Sequence, residues 1–323
     1  MNPGNPALAP DALRAKSQLY VQRGFRAKIA GDIEEYQLWA SLALELLGKA
    51  ALAKVHPALV ADPTSKESLF AACGRQISPD IKTIGAKTLF DRLTHISKDF
   101  DARHQRFCDQ MALRRNSELH SGEAPFAGML ADVWEREYWG AVDVILKMQD
   151  LTLKEWVGAE NESAPAQILE AAGKAVEWSV KHRIQRCADD FKAKHKNPAE
   201  LQMIVERSKT RGMPVEIARA LSPYDAHQSH VCPACAAMGY LGLSLWDEEV
   251  SDEEGEFQDD EGNWHQEVVG ERIESTYNVE EFICPECALH LFGVKEIASA
   301  ELKSEVTTVS IREREYEPEY GND

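Results

Sequence analysis

Two Cys-Pro-x-Cys pairs, Cys232/Cys235 and Cys284/Cys287, constrain this chain more than any other feature. Each pair presents two thiols from one tight turn. Two such turns supply four soft ligands for a tetrahedral zinc ion, with Zn–S bonds of ~2.3 Å. The 48 residues between the pairs exceed the ~15–20 of compact fingers, but loop-closure entropy grows only logarithmically with length. Four thiolates close the coordination shell, so zinc held there is structural and leaves no position for a catalytic water. Iron–sulfur ligation and a redox dithiol are the competing uses of the same spacing, and His230 and His290 flank the pairs as reserve ligands. The remaining cysteines, Cys73, Cys108 and Cys187, fall on helical stretches and read as buried small hydrophobes. An odd count with this pairing fits metal ligation in a reducing compartment rather than a disulfide framework.

Around the pairs the chain is strongly acidic. Of 54 Asp/Glu and 36 Lys/Arg, 24 and 5 lie from Ala226 onward, which leaves 30 and 31 before it. The formal net charge of −18 therefore belongs to the C-terminal third and does not exclude a nucleic-acid surface on the nearly neutral remainder. Ten acids fall within the fifteen residues Asp247–Glu261, a density that predicts a mobile loop or a long solvated hairpin. Such a region is suited to a regulatory protein partner, or to covering a basic face by mimicking nucleic acid. Trp264 and His265 follow it, as hairpin residues or as a contact point for a partner.

Periodicity divides the chain into a helical part and a β-rich part. Residues 32–55 read as a long amphipathic helix, ended by His56-Pro57. Helices are expected near 66–74, 84–97 and 100–120, the last closed by a left-handed glycine at Ser121-Gly122. Further helices are expected over 129–156, 165–194 and 198–210. The basic run Lys181, His182, Arg183, Arg186, Lys192, Lys194, Lys196 reads as a solvated helix face, with an RNA-tracking surface as the alternative. Short alternating segments follow at 239–246, 267–273 and 277–282. The expected fold class is mainly α, a helical bundle followed by a small β-rich four-cysteine zinc ribbon. The expected divisions are an N-terminal helical extension (1–31), a helical domain (32–160), a helical connector (161–225), the ribbon with its acidic insertion (226–300) and an acidic tail (301–323) with room for a last strand before it frays. No apolar run approaches the ~20 residues needed to span a bilayer, and the N-terminus lacks the basic and apolar regions of a secretory signal. A cytoplasmic protein without membrane association is expected.

The stretch with chemical potential is Met111-Ala-Leu-Arg-Arg-Asn-Ser-Glu-Leu-His-Ser-Gly122. On a helix Asn116 and His120 share a face, with Arg115 at its edge. The group offers a cation for phosphate, an amide for orientation and an imidazole that moves protons near neutral pH. Those parts suffice to cleave RNA without a metal: a base takes the ribose 2′-OH proton and a cation stabilises the phosphorane-like charge. The residues alone equally allow a histidine placed to complement a helix dipole and an ordinary Arg114–Glu118 pair. Glu45 reads either as a partner of Lys49 at i+4 or as a second polar group facing the same cleft.

Arg115-Asn116-x-x-x-His120 resembles the R-x4–6-H signature of HEPN ribonucleases, including the polar residue after the arginine. The long helix containing Trp39-Ala-Ser-Leu-Ala-Leu-Glu-Leu-Leu-Gly48 and the segment Arg115-Asn-Ser-Glu-Leu-His-Ser-Gly-Glu-Ala-Pro-Phe126 are similar as well. The resemblance covers roughly residues 30–155. It implies a helical domain that forms a homodimer, two motifs meeting in one cleft, and an endoribonuclease acting as a toxin or antiphage-defence effector. Arg115 would stabilise the scissile phosphate, Asn116 would orient it and His120 would serve as general base or acid. Gly122 stands where one subgroup of the family has a tyrosine that a partner enzyme modifies, so that mode of neutralisation is not expected. The alternative is a non-catalytic helical dimer with a zinc ribbon, serving as a protein- or RNA-binding scaffold.

Overall fold

A computed structural model describes residues 5–127, 131–258 and 264–313. The chain divides into two compact units, Met1–Lys174 and Ala175–Asp323. It is mainly helical, with a five-stranded antiparallel sheet toward the C-terminus. Among the described residues no helix is long and apolar enough to cross a membrane.

The first unit is built on α1 (Pro10–Ala30) and α2 (Ile33–Val55). Gly31, at φ +82°, reverses the chain, and Asp32 caps α2 by accepting the Glu35 N–H at 2.9 Å. The two helices lie antiparallel: Gly24 meets Tyr36, Tyr20 meets Trp39, and the Ser17 hydroxyl donates to Ala43 O at 2.7 Å. Because Leu13, Val21 and Phe25 are buried with α2 in one core, the expected N-terminal extension is part of the bundle itself. Asp62 to Thr83 carry the short helix α3 (Lys66–Ala72), capped by Ser65. Next come α4 (Ala86–Thr94) and α5 (Ala102–His120), the latter capped by Asp101.

The single helix expected over 129–156 is two. Its expected start lies partly outside the described residues; α6 spans Ala131–Lys147 and α7 Leu153–Val157. Asp150 adopts φ 56°, and Leu151 N–H returns to Leu146 O at 3.0 Å, which ends α6. Thr152 and Glu155 then form a complete capping box that starts α7. Trp134, Tyr138, Trp139 and Trp156 are buried, and Trp139 packs against Phe25, Tyr138 and Trp156. These rings supply much of the apolar burial that holds the unit together.

Helix α8 (Ser163–Lys194) contains the division between the units. In the second unit its face Val176, Val180, Ile184, Cys187 and Phe191 packs into a core shared with Ile204, Leu241, Phe282, Leu291 and Ile297. The expected connector is therefore load for a core rather than a linker, and includes α9 (Pro198–Thr210) and α10 (Val215–Ala220). The sheet comprises β1 (Ala226–Val231), β2 (Met238–Gln258), β3 (Trp264–Ile283), β4 (His290–Phe292) and β5 (Glu305–Glu313), with α11 (Val294–Ser299) before β5. Its order is β1-β2-β3-β4, and β5 pairs with the outer part of β3. Gly239 and Gly242 permit this packing, since a Cβ would lie 2.5 Å from the Phe282 ring and 2.6 Å from Tyr224 respectively.

The acidic insertion takes the hairpin form: β2 pairs with β3 from Tyr240/Ile283 out to Gln258/Trp264. The segments expected at 267–273 and 277–282 are one strand. Glu249 lies opposite Glu274 and Asp252 opposite Glu271, pairings that cost stability, while Arg312 of β5 donates from Nε to Glu271 at 3.1 Å. Asp259–Glu261 of the insertion and residues 314–323 of the expected tail lie outside the described residues.

Candidate functional site

The cysteine pairs occupy equivalent turns, one between β1 and β2 and the other between β3 and β4. Cys232 N–H donates to Ala237 O at 2.8 Å, and Cys284 N–H donates to Leu289 O at 2.9 Å. The residue after each second cysteine is left-handed, Ala236 at φ 62° and Ala288 at φ 57°. This repeated geometry turns all four sulfurs inward, within 4.8 Å of one another. Cys232–Cys287 and Cys235–Cys284 are each 3.6 Å apart, near the ~3.8 Å edge of a tetrahedron with ~2.3 Å bonds. Cys232, Cys235 and Cys284 are buried and Cys287 is partly so. The cluster can hold a metal ion, and its donor set is that of a soft cation. Hydrogen bonds among the four sulfurs couple their ionisation, and those from Cys232 and Cys235 hold the Cys284 thiol below its ordinary range. The reserve histidines are engaged elsewhere: His230 Nδ1 lies 2.9 Å from Val231 O and His290 Nε2 lies 2.5 Å from Glu281.

The second site joins α2 and α5. Arg115 forms an ion pair through Nη1 with Glu45. Its Nε and Nη2 donate to Asn116 Oδ1 at 3.1 and 2.8 Å. Glu45 also accepts Lys49 at 2.8 Å, and Lys49 donates to Thr83 at 3.1 Å. Glu45 thus satisfies both expectations, pairing within its own helix and reaching across to Arg115. Burial pushes its carboxyl up, but Lys49 and Arg115 more than offset that and hold it below the usual range. The Arg115 side chain is only 11% exposed. Three of its five N–H groups are used by Glu45 and Asn116.

His120 is exposed in the last turn of α5. No contact joins it to Arg115, so one copy of the chain brings Arg115 and Asn116 together and leaves His120 apart, facing solvent. The helix ends differently from expectation. Ser121 is extended (φ −128°), its hydroxyl donates to Ser117 O at 2.7 Å, and Gly122 takes no left-handed conformation. A hydroxyl cap has replaced the glycine cap. The Arg114–Glu118 pair is also absent among the described residues, where Glu118 Oε2 is enclosed without a hydrogen-bond partner.

Of the three unassigned cysteines, Cys108 and Cys187 are buried as expected, but Cys73 is exposed. It ends α3, where Gly74 turns the chain away at φ +80°. Trp264 and His265 begin β3 as hairpin residues, and Trp264 is exposed. A cavity of about 430 Å³ between α9 and β1, lined by Lys209, Arg211, His227, Ser229, Met238 and Tyr240 among others, contains no lining carboxylate. None of these residues was singled out in the sequence, because only the fold brings the end of α9 to the sheet edge. No protein-family model, curated protein or solved structure matches the chain.

Proposed function

We propose that this chain is a metal-independent endoribonuclease of HEPN type, working as a homodimer in a toxin or antiphage-defence role, with structural zinc on Cys232, Cys235, Cys284 and Cys287. The supporting observation is the fixing of Arg115: Glu45 and Asn116 engage three of the N–H groups of its guanidinium. A cation locked before substrate arrives needs no reorganisation as charge develops on the phosphoryl oxygens. His120, exposed on the same helix, takes the ribose 2′-OH proton. The O2′ then attacks phosphorus, the P–O5′ bond breaks, and His120 of the partner subunit gives a proton to the leaving O5′. The products are a 2′,3′-cyclic phosphate and a 5′-hydroxyl.

A second reading is favoured by one observation. Arg115, Glu45 and Lys49 form a largely buried charge cluster, which suits a scaffold whose motif only joins α2 to α5. Incubating single-stranded RNA with the zinc-loaded protein, without added divalent ions, separates the two. The nuclease reading expects cleavage that falls about 100-fold or more in His120→Ala while circular dichroism is unchanged. Undiminished cleavage by His120→Ala would refute it, and an inert wild type across diverse RNAs would favour the scaffold.

A further inference from the structure

Helix α8 packs Val176, Val180, Ile184, Cys187 and Phe191 into the core of the second unit. At about 100° per residue, the side diametrically opposite carries Trp178, His182, Gln185 and Asp189. Trp178 is 69% exposed, an unusual position for the largest apolar side chain. Its ring is stacked on His182, with centroids 5.2 Å apart and planes at 20°. The pair is therefore a preordered aromatic stack, in which each ring keeps its outer face turned away from the other. Lys181 and Arg186 flank it and are exposed, while Gln185 donates to Asp189 at 2.9 Å beyond it. From Ala175 to Lys196 there are six Lys/Arg and three Asp/Glu, in contrast to the acidic segment after Ala226.

We propose that this face of α8 is a stacking platform for single-stranded nucleic acid, on which Trp178 and His182 receive a base while Lys181 and Arg186 contact the flanking phosphates. Charge complementarity and the paired rings favour that occupant. A protein partner would call for an apolar patch around the tryptophan, whereas the exposed positions around Trp178 are Ala175, Glu177, Lys181, His182, Gln185 and Arg186, none of them a large apolar residue. A base needs only the ring face, and cations nearby suit its backbone. That the strand is an RNA substrate rests on the nuclease reading; the binding itself does not.

The test uses the full chain and a fluorescein-labelled deoxythymidine strand of about 12 nucleotides, which has no 2′-hydroxyl and cannot be cut by the proposed route. Fluorescence anisotropy should show salt-sensitive binding, weakened about tenfold by Trp178→Ala and largely retained by Trp178→Phe. Lys181→Gln with Arg186→Gln should lower the slope of log affinity against log salt by about 1.4, at ~0.7 per phosphate contact. Equal binding by wild type and Trp178→Ala would overturn the proposal, as would no binding by the wild type. Sedimentation completes the test: loss of self-association in Trp178→Ala with strand binding intact would make the face a protein contact and also overturn it. Weakened strand binding in Trp178→Ala from a protein that never cuts RNA would uphold the platform and sink only the nuclease reading.

Discussion

Glu45 lies between Lys49 on its own helix and Arg115 on α5, and all three are mostly shielded from solvent. Removing its charge leaves two enclosed cations unneutralised, so Glu45→Gln should destabilise the first unit by about 3 kcal/mol in urea unfolding at pH 7. The Glu45 carboxyl is depressed in the folded state. Its contribution is therefore complete above the ordinary value of 4.5 and is lost as pH falls through the depressed value. The gap between wild type and Glu45→Gln should accordingly close in acid; a constant gap, or none at pH 7, would contradict the assignment. Cysteine accessibility gives a second check at this scale. Cys108 and Cys187 are buried, and burial pushes both thiols up. With the cluster metal-loaded, an alkylating reagent should modify Cys73 rapidly and no other cysteine, as read by peptide mass mapping.

Among the elements, β2 is tightly approached at Gly242. Gly242→Ala would place a Cβ 2.6 Å from the Tyr224 ring, and Tyr224 must move from a half-buried site. A loss of about 1–3 kcal/mol is expected in the second unit alone, seen as a lower midpoint of the sheet's thermal transition. Helix starts were legible at α2, α5 and α9, which begin within two residues of expectation, behind the caps Asp32, Asp101 and Asn197. The break between α6 and α7 was not, because Met148, Leu151 and Trp156 continue the apolar spacing across it. Only the left-handed Asp150 and the Thr152/Glu155 box reveal the turn. The outer halves of β2 and β3 were equally obscure, since acids carry no alternation and pairing with neighbouring strands imposes their form. At the α5 site, spacing identified Arg115, Asn116 and His120 as candidates. The tie to Glu45 spans 70 residues and only the packed helices show it.

Across the whole molecule, the two units carry separate apolar cores. The four-cysteine cluster lies in the second, where Cys232, Cys235 and Cys284 are themselves core residues. Stripping the metal should therefore unfold the sheet while the helices of the first unit persist. Circular dichroism and limited proteolysis should show a protected helical fragment ending near Lys174; loss of both units in one step would contradict their independence. The change in composition at Ala226 marked the start of the sheet but not of its unit, which begins in α8. The helices Val180, Phe191 and Ile204 belong to read as amphipathic like any others, and nothing in their sequence names the surface they cover.

If Arg115, Asn116 and His120 cut RNA without a metal-bound water, the chemistry is written in the cut ends. Mapping the termini released by the wild-type protein tests this most directly. The expected products carry 2′,3′-cyclic phosphate and 5′-hydroxyl ends, formed at the same rate with or without added magnesium. Fragments bearing 5′-phosphate, or cleavage that depends on the added ion, would contradict it.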